Sequence, residues 1–189
     1  MGKPKSYIPP DAKMVFKWKN YEVWQWEQKM YDGTTKIFEK IKKSDTVAVI
    51  AVVDGKILIQ KQEQPHRDMF LSLPGGKCEI WEDPMDAASR ELLEETGLEA
   101  FELILRKILP SRYSSVVFNV SYFIAKDCKK VQDLNLDWWE KIQNEFMSFE
   151  EFLMISENET FRDHDLMNVL LKIRLHPEQK EEFKKLLFS

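Results

Sequence analysis

The segment from Gly76 to Leu98, GKCEIWEDPMDAASRELLEETGL, constrains this chain more than any other part of it. It reads G-x5-E-x7-R-E-U-x-E-E-x-G-U, where U is apolar, and so specifies charged or glycine residues at Gly76, Glu82, Arg90, Glu91, Glu94, Glu95 and Gly97. A chance match to all of these is on the order of one in a billion per start site. The spacing also dictates local structure. Asp83 suits an N-cap, Pro84 suits the first helical turn, and Gly97 suits a left-handed position just past a helix, so a helix is predicted from about Pro84 to Thr96.

At about 100° per residue, Met85, Ala88, Leu92 and Thr96 share the face expected to pack on a sheet. Glu91 and Glu95 stand one turn apart at the margin of that stripe. Two carboxylates held there repel each other unless a cation lies between them. Oxygen donors and an open site favour Mg²⁺ or Mn²⁺ over zinc, and neither the cysteines nor the histidines have ligand spacing. Arg90 is four residues before Glu94, an ion-pair spacing, and Glu82 lies in the preceding loop, so these three are read as aiming the metal-binding pair. An ELLEE run by itself reads as a solvated acidic face held by i,i+4 pairs. The complete window outweighs that reading.

The window resembles the Nudix box, matched at every specified position. The resemblance implies an α+β fold, an αβα sandwich with a mixed sheet, whose box is carried on a loop–helix–loop. It further implies that Glu91 and Glu95 bind the metal together with the Gly75 carbonyl, and that Glu82 and Glu94 support them or bind further metals. Arg90 and Glu94 then belong to the catalytic helix. The implied reaction is metal-assisted hydrolysis of a nucleoside diphosphate linked to some other group.

The chain has 189 residues, enough for one domain with a real core and a small appendage. Its net charge of −4, in mixed sign, supplies no basic footprint for nucleic acid. Neither a signal-like apolar segment nor a run long enough to span a bilayer is present, so a cytoplasmic protein with reduced Cys78 and Cys128 and no membrane partner is expected.

The N-terminal ten residues, with Pro4, Pro9 and Pro10, read as an irregular arm. Strand-like runs Tyr21 to Met30 and Thr34 to Ile41 flank an Asp32-Gly33 turn, and place Trp24 and Trp26 on one face. That face is open to three readings: packing within the hairpin, a dimer surface, or a stacking platform for a nucleobase. Further strands are expected at Thr46 to Val53, Lys56 to Lys61, Leu71 to Leu73, Leu103 to Leu109, Val116 to Ala125 and Phe146 to Ser148. Helices are expected at Phe149 to Ile155 and Asp163 to Leu175, with a short charged helix in the tail read as a solvated face. The resulting division is an N-terminal arm and hairpin over 1–43, a core domain over 44–176 and a tail over 177–189.

The order of elements resembles the ADP-ribose and ADP-sugar pyrophosphatase branch of that family. The N-terminal hairpin, LSLPGG ahead of the box, and MSFEEFLMISENETFRDHDLMNVLLKI near the end carry the likeness. Ser72 stands where that branch usually has a glutamate. The resemblance implies a catalytic base in the loop before the last strand, Glu140 with Asp137 next in line, and homodimerisation through the hairpin. Arg67 and Arg112 suit phosphate clamps, since a guanidinium chelates two phosphate oxygens, whereas His66 reads as a loop residue. The expected activity is hydrolysis of ADP-ribose or another nucleotide-sugar to a nucleoside monophosphate and a sugar phosphate. Dinucleoside polyphosphates, NADH and nucleoside triphosphates are the alternative substrates, and a non-catalytic sensor of nucleotide-sugar or RNA is the alternative of another class.

Overall fold

The computed structural model describes residues 7–65, 67–111 and 114–189. Among the described residues, three sheets, the smallest being the pair β7 (Leu98–Glu99) and β11 (Lys129–Lys130), and four α-helices make an α+β molecule whose central layer is a mixed sheet. Its strands are β4 (Thr46–Val53), β5 (Lys56–Gln64), β6 (Arg67–Ser72), β8 (Glu102–Pro110), β10 (Asn119–Lys126) and β12 (Lys141–Met147). The order is β12-β5-β4-β10-β8, with β6 also pairing β5, and only β4 and β10 run parallel.

Alternation along β4 decides what covers each face. Val47, Val49 and Ala51 point to one side, where they join Leu58, Phe123 and Ala125 under helix α1 (Pro84–Thr96). Ile50 and Val52 point to the other, with Ile57, Ile59 and Ile124, under α2 (Phe149–Met154), α3 (His164–Leu175) and α4 (Pro177–Phe188). The result is a helix–sheet–helix sandwich, as expected from the sequence. Among the described residues no helix is long and apolar enough to cross a membrane.

Several local expectations need correction. The N-terminal hairpin of β2 (Tyr21–Lys29) and β3 (Thr35–Lys43) is extended by β1 (Lys13–Lys17), and β9 (Val116–Val117) adds to β3 in parallel, giving a four-stranded sheet. β1 is exposed along its length, so no burial pattern marks it in the sequence. The single strand expected over Val116 to Ala125 is two strands, because the chain crosses there from one sheet to the other. Asp45 fixes the crossing: its carboxylate accepts from the Asn119 backbone N–H at 2.8 Å and from Asn119 Nδ2 at 3.1 Å.

The strand expected at Phe146 begins at Lys141, pairing Lys141 to Met147 with β5. Met85 is not on the packed face of α1; Ala87, Ala88, Leu92, Glu95 and Thr96 are the buried residues, and Met85 is half-exposed. The tail is not merely solvated. Leu187 is fully buried in the core, and Phe183 and Phe188 pack their rings on Phe149 with centroids 6.0 Å away in each case.

Candidate active site

The box helix begins and ends as its sequence dictates. Asp83 accepts from the Met85 backbone N–H at 2.8 Å, Pro84 opens the first turn, and Gly97 takes the left-handed conformation at φ 71°. The segment Pro74-Gly75-Gly76 runs alongside, held to β4 by Val49 N–H donating to the Pro74 carbonyl and Val47 N–H donating to that of Gly76. Gly75 sits at φ 148°, and a Cβ there would strike the Val47 carbonyl; a Cβ on Gly76 would strike the Glu91 carboxylate. Gly75 is therefore required by how closely this segment approaches the strand, whereas a side chain at Gly76 would displace the movable end of Glu91.

That approach lets the Gly75 backbone N–H donate to Glu95 Oε2 at 2.9 Å. Glu95 is buried, at 5% exposure, and its carboxyl is pushed up to about 8, above all by loss of water, with Glu91 and Glu140 repelling its charge and the Gly75 N–H and Gln60 opposing the rise. Burial likewise raises Glu91, opposed by Arg90 and reinforced by Glu94 and Glu140. Glu140, just before β12, is raised by partial burial, with Asp137 and Glu94 repelling it and the Asp137 backbone lowering it. The structure thus places Glu91, Glu95, Glu94 and Glu140 within each other's fields, although Glu140 comes from a distant part of the chain.

Arg90 ties the acidic helix to its loop. Its Nε and Nη2 donate to the two oxygens of Glu82 at 2.8 and 3.0 Å, Nη1 donates to Glu91 and Glu94 at 2.9 and 3.0 Å, and Nη2 also reaches the Lys77 carbonyl at 3.1 Å. Glu82 further accepts from the Glu79 backbone N–H at 2.7 Å and is held below the usual carboxylate range, Arg90 being the main cause. Its oxygens thereby hold the loop to the helix.

Among the described residues, no three acidic, thiol or imidazole groups already converge as a closed metal cage. The half-open set that does exist is Glu91 and Glu95 beside the Gly75–Gly76 backbone, all oxygen donors. Mg²⁺ characteristically takes one or two carboxylates and completes its shell with water and phosphate oxygens. The mutual repulsion of Glu91 and Glu95 and the buried position of Glu95 give a cation there a charge to neutralise, so the donors fit a hard divalent ion.

The other predicted site residues fall in different places. Arg67 lines a cleft of about 500 Å³ together with Trp138, Trp139 and Glu140, so it is brought to the acidic loop. Trp138 and Trp139 meet edge to face at 5.1 Å, and Trp138 is almost fully exposed. Trp26 is buried on the N-terminal sheet against Phe38, which it pairs across the strands, and Trp24 is half-buried with its Nε1 donating to Glu22. Trp26 therefore offers little free ring face. Arg112 and His66 lie outside the described residues.

Sequence reasoning missed one group. Gln60, Ser72 and Asn144 occupy one cross-strand row beneath the box helix, and the Asn144 side chain donates to the Glu95 carbonyl at 3.2 Å. The available signal was a polar residue at Gln60 where the buried alternation of Leu58 would continue.

The NUDIX domain family model matches residues 42–168. An ADP-ribose pyrophosphatase of Bacillus subtilis (strain 168) is 30% identical over 155 residues, covering 79% of this chain and 82% of that protein. A methanol dehydrogenase activator of Bacillus methanolicus is 34% identical over 74 residues, 38% of this chain and 40% of its own length. Among solved structures, an ADP compounds hydrolase superposes with a TM-score of 0.72 at 18% identity, covering 92% of this chain and 95% of its own. Box, sandwich and family match coincide on the same residues, and the chain belongs to the Nudix hydrolase family.

Proposed function

We propose that this protein hydrolyses the diphosphate of ADP-ribose or another nucleotide-sugar, with Mg²⁺ or Mn²⁺, to a nucleoside monophosphate and a sugar phosphate. The observation that carries the reading is the pair of like charges made by half-buried Glu91 and fully buried Glu95 against Gly75 and Gly76. The relative named as an ADP-ribose pyrophosphatase supports the choice of substrate. A divalent cation bound there would draw charge from the diphosphate and favour ionisation of an attacking water.

The residues of the chain do the rest. Glu95 is oriented by the Gly75 N–H and Glu91 by Arg90, so both carboxylates are held in place and would be the residues that hold the cation. A Glu140 carboxylate oxygen takes the proton of the attacking water, and its raised proton affinity makes it the better base. The water oxygen bonds to one phosphorus as the bridging P–O bond breaks, and the electron pair leaves on the departing phosphate. Arg67 and Arg112 clamp the phosphate oxygens, and Trp24 is the stacking surface on the N-terminal sheet. Residues 44–176 form the catalytic domain, and 1–43 the element through which two copies pair, in keeping with the exposed Val15, Phe16, Ile37 and Phe38 on that sheet. We place the enzyme in the cytoplasm, where Cys78 and Cys128, both free and buried, stay reduced.

The deciding experiment is product analysis of the purified protein with and without Mg²⁺ against ADP-ribose, other nucleotide-sugars, NADH, dinucleoside polyphosphates and nucleoside triphosphates. Metal-dependent release of AMP and ribose 5-phosphate from ADP-ribose is expected. Turnover confined to another compound would overturn the substrate, and no turnover of any would overturn the activity.

A further inference from the structure

The face of the central sheet beneath α1 is apolar along β4, but not along β5. In β5 the residues facing α1 run Leu58, Gln60, Gln62, and Gln60 and Gln62 are both buried, Gln60 completely. Directly across from Gln60 stand Ser72 on β6 and Asn144 on β12, so three neighbouring strands present one polar row. In each of the three a buried side-chain atom lacks a hydrogen-bond partner: Gln60 Nε2, Ser72 Oγ and Asn144 Oδ1. An unpaired buried polar atom costs on the order of 1–3 kcal/mol, and native proteins keep few. Here three coincide in one row.

The row has a direction. Gln62 Nε2 donates to Gln60 Oε1 at 2.8 Å, which commits the oxygen end of the Gln60 amide and turns its Nε2 toward Glu95. Asn144 holds the backbone carbonyl of Glu95 through Nδ2. Glu95 is thus contacted from the glycine segment by the Gly75 N–H, and from the sheet by Asn144, with Gln60 Nε2 beside its carboxylate but not yet in a well-formed hydrogen bond. Asn144 also caps the Glu95 carbonyl in the last turn of α1, which is a folding role, but Gln60 Nε2 and Ser72 Oγ have no partner among the described residues, so their polarity needs another reason.

We propose that the Ser72–Gln60–Asn144 row is a positioning device for Glu95, with Gln60 as its central residue: it holds the inner side of the carboxylate so that the outer oxygen is presented to a divalent cation. The inference rests on the metal role of Glu95 given above. Gln60 does not touch substrate or cation in this account; it acts through Glu95. Removing such a supporting hydrogen-bond partner typically lowers metal affinity 10–100-fold.

The test is Mn²⁺ titration of the protein followed by electron paramagnetic resonance, on the wild type, Gln60→Leu, Gln62→Leu and Ser72→Ala, beside thermal unfolding of each in EDTA. Gln60→Leu is expected to weaken Mn²⁺ binding at least 10-fold while changing metal-free stability little, because it removes the unpaired Gln60 Nε2 together with the acceptor of Gln62. Gln62→Leu, which frees the Gln60 amide to turn, is expected to weaken Mn²⁺ binding by a smaller factor, as is Ser72→Ala. If Gln60→Leu does not fold, those two variants decide the matter. Folded variants that all bind Mn²⁺ as the wild type does would overturn the positioning role. A wild type that binds no Mn²⁺ at all would instead overturn the metal reading on which this one rests.

Discussion

Replacing Glu95 by Gln should make the metal-free protein more stable at alkaline pH and remove its activity. In the folded, metal-free protein the Glu95 carboxyl is raised from 4.5 to about 8, and burial is the leading cause. At about 1.4 kcal/mol for each factor of ten in proton affinity, that rise corresponds to at most ~5 kcal/mol, and ~3–5 kcal/mol is a realistic range. The sign follows from proton linkage. A carboxyl whose folded value is raised binds its proton more tightly in the native state, so folding is favoured most below about pH 4.5. The advantage is lost as pH rises toward 8, and above that a constant deficit remains. Set against a typical domain stability of about 5–15 kcal/mol, this is a large share.

The assay is urea unfolding in EDTA from pH 5 to pH 9, with the wild type compared with Glu95→Gln at each pH, so that Glu91 and Glu140, whose values are also raised, largely cancel. Glutamine keeps an acceptor for the Gly75 N–H but carries no charge to desolvate. The variant's advantage should therefore grow by several kcal/mol between pH 5 and pH 9. Adding Mg²⁺ at pH 9 should restore the wild type and do little for the variant, since only an ionised carboxylate gains from the cation. A stability difference that stays constant across this range would refute the reasoning, because Glu95 would then be neither strongly desolvated nor waiting for a counter-charge.

The other expectations concern separate parts of the site and core. Gly76→Ala pushes a methyl into the flexible end of Glu91, so it should fold normally yet need at least 10-fold more Mg²⁺ for half-maximal turnover; Gly75→Ala meets the Val47 backbone at positive φ and should cost more than about 2 kcal/mol in urea unfolding. Glu140→Gln should lower kcat about 10²–10⁴-fold while leaving Mn²⁺ affinity within a few-fold of wild type, and equal losses in both would assign Glu140 to the metal instead. Leu187→Ala should destabilise the protein by about 2–4 kcal/mol, measured by denaturant midpoint, because that side chain is fully buried beneath the tail helix.

What was legible in the sequence, and what was not, divides along physical lines. The box helix appears at the predicted bounds because every determinant of it is local: an Asp83 cap, Pro84 at the start, a left-handed Gly97 at the end. β4 was legible for a related reason, an apolar run covered on both faces. By contrast, β12 is half polar along its length, and only its partner β5 makes Lys141 to Asn144 a strand. β1 is exposed throughout and exists because β2 offers it an edge. The tail helix looked solvated because charges dominate its composition, yet one buried leucine and two phenylalanines suffice to seat it on the core.

The same division runs through the site. Arg90, Glu91, Glu94 and Glu95 share a helix, so their spacing alone brings them together. Glu140 reaches them only through the pairing of β12 with β5, which register cannot be read from either strand in isolation. That pairing also sets Asn144 opposite Gln60, and the β5–β6 pairing sets Ser72 on its other side. A single-residue slip of β6 would set Leu71 or Leu73 opposite Gln60, and one of β12 would set Gln143 or Glu145 there, so that the Ser72 or Asn144 side chain would turn to the opposite face of the sheet. In the proposed site, strand register thus acts beside the helix: the helix supplies the carboxylates, and the alignment of three strands beneath it sets which side chains stand against the buried one.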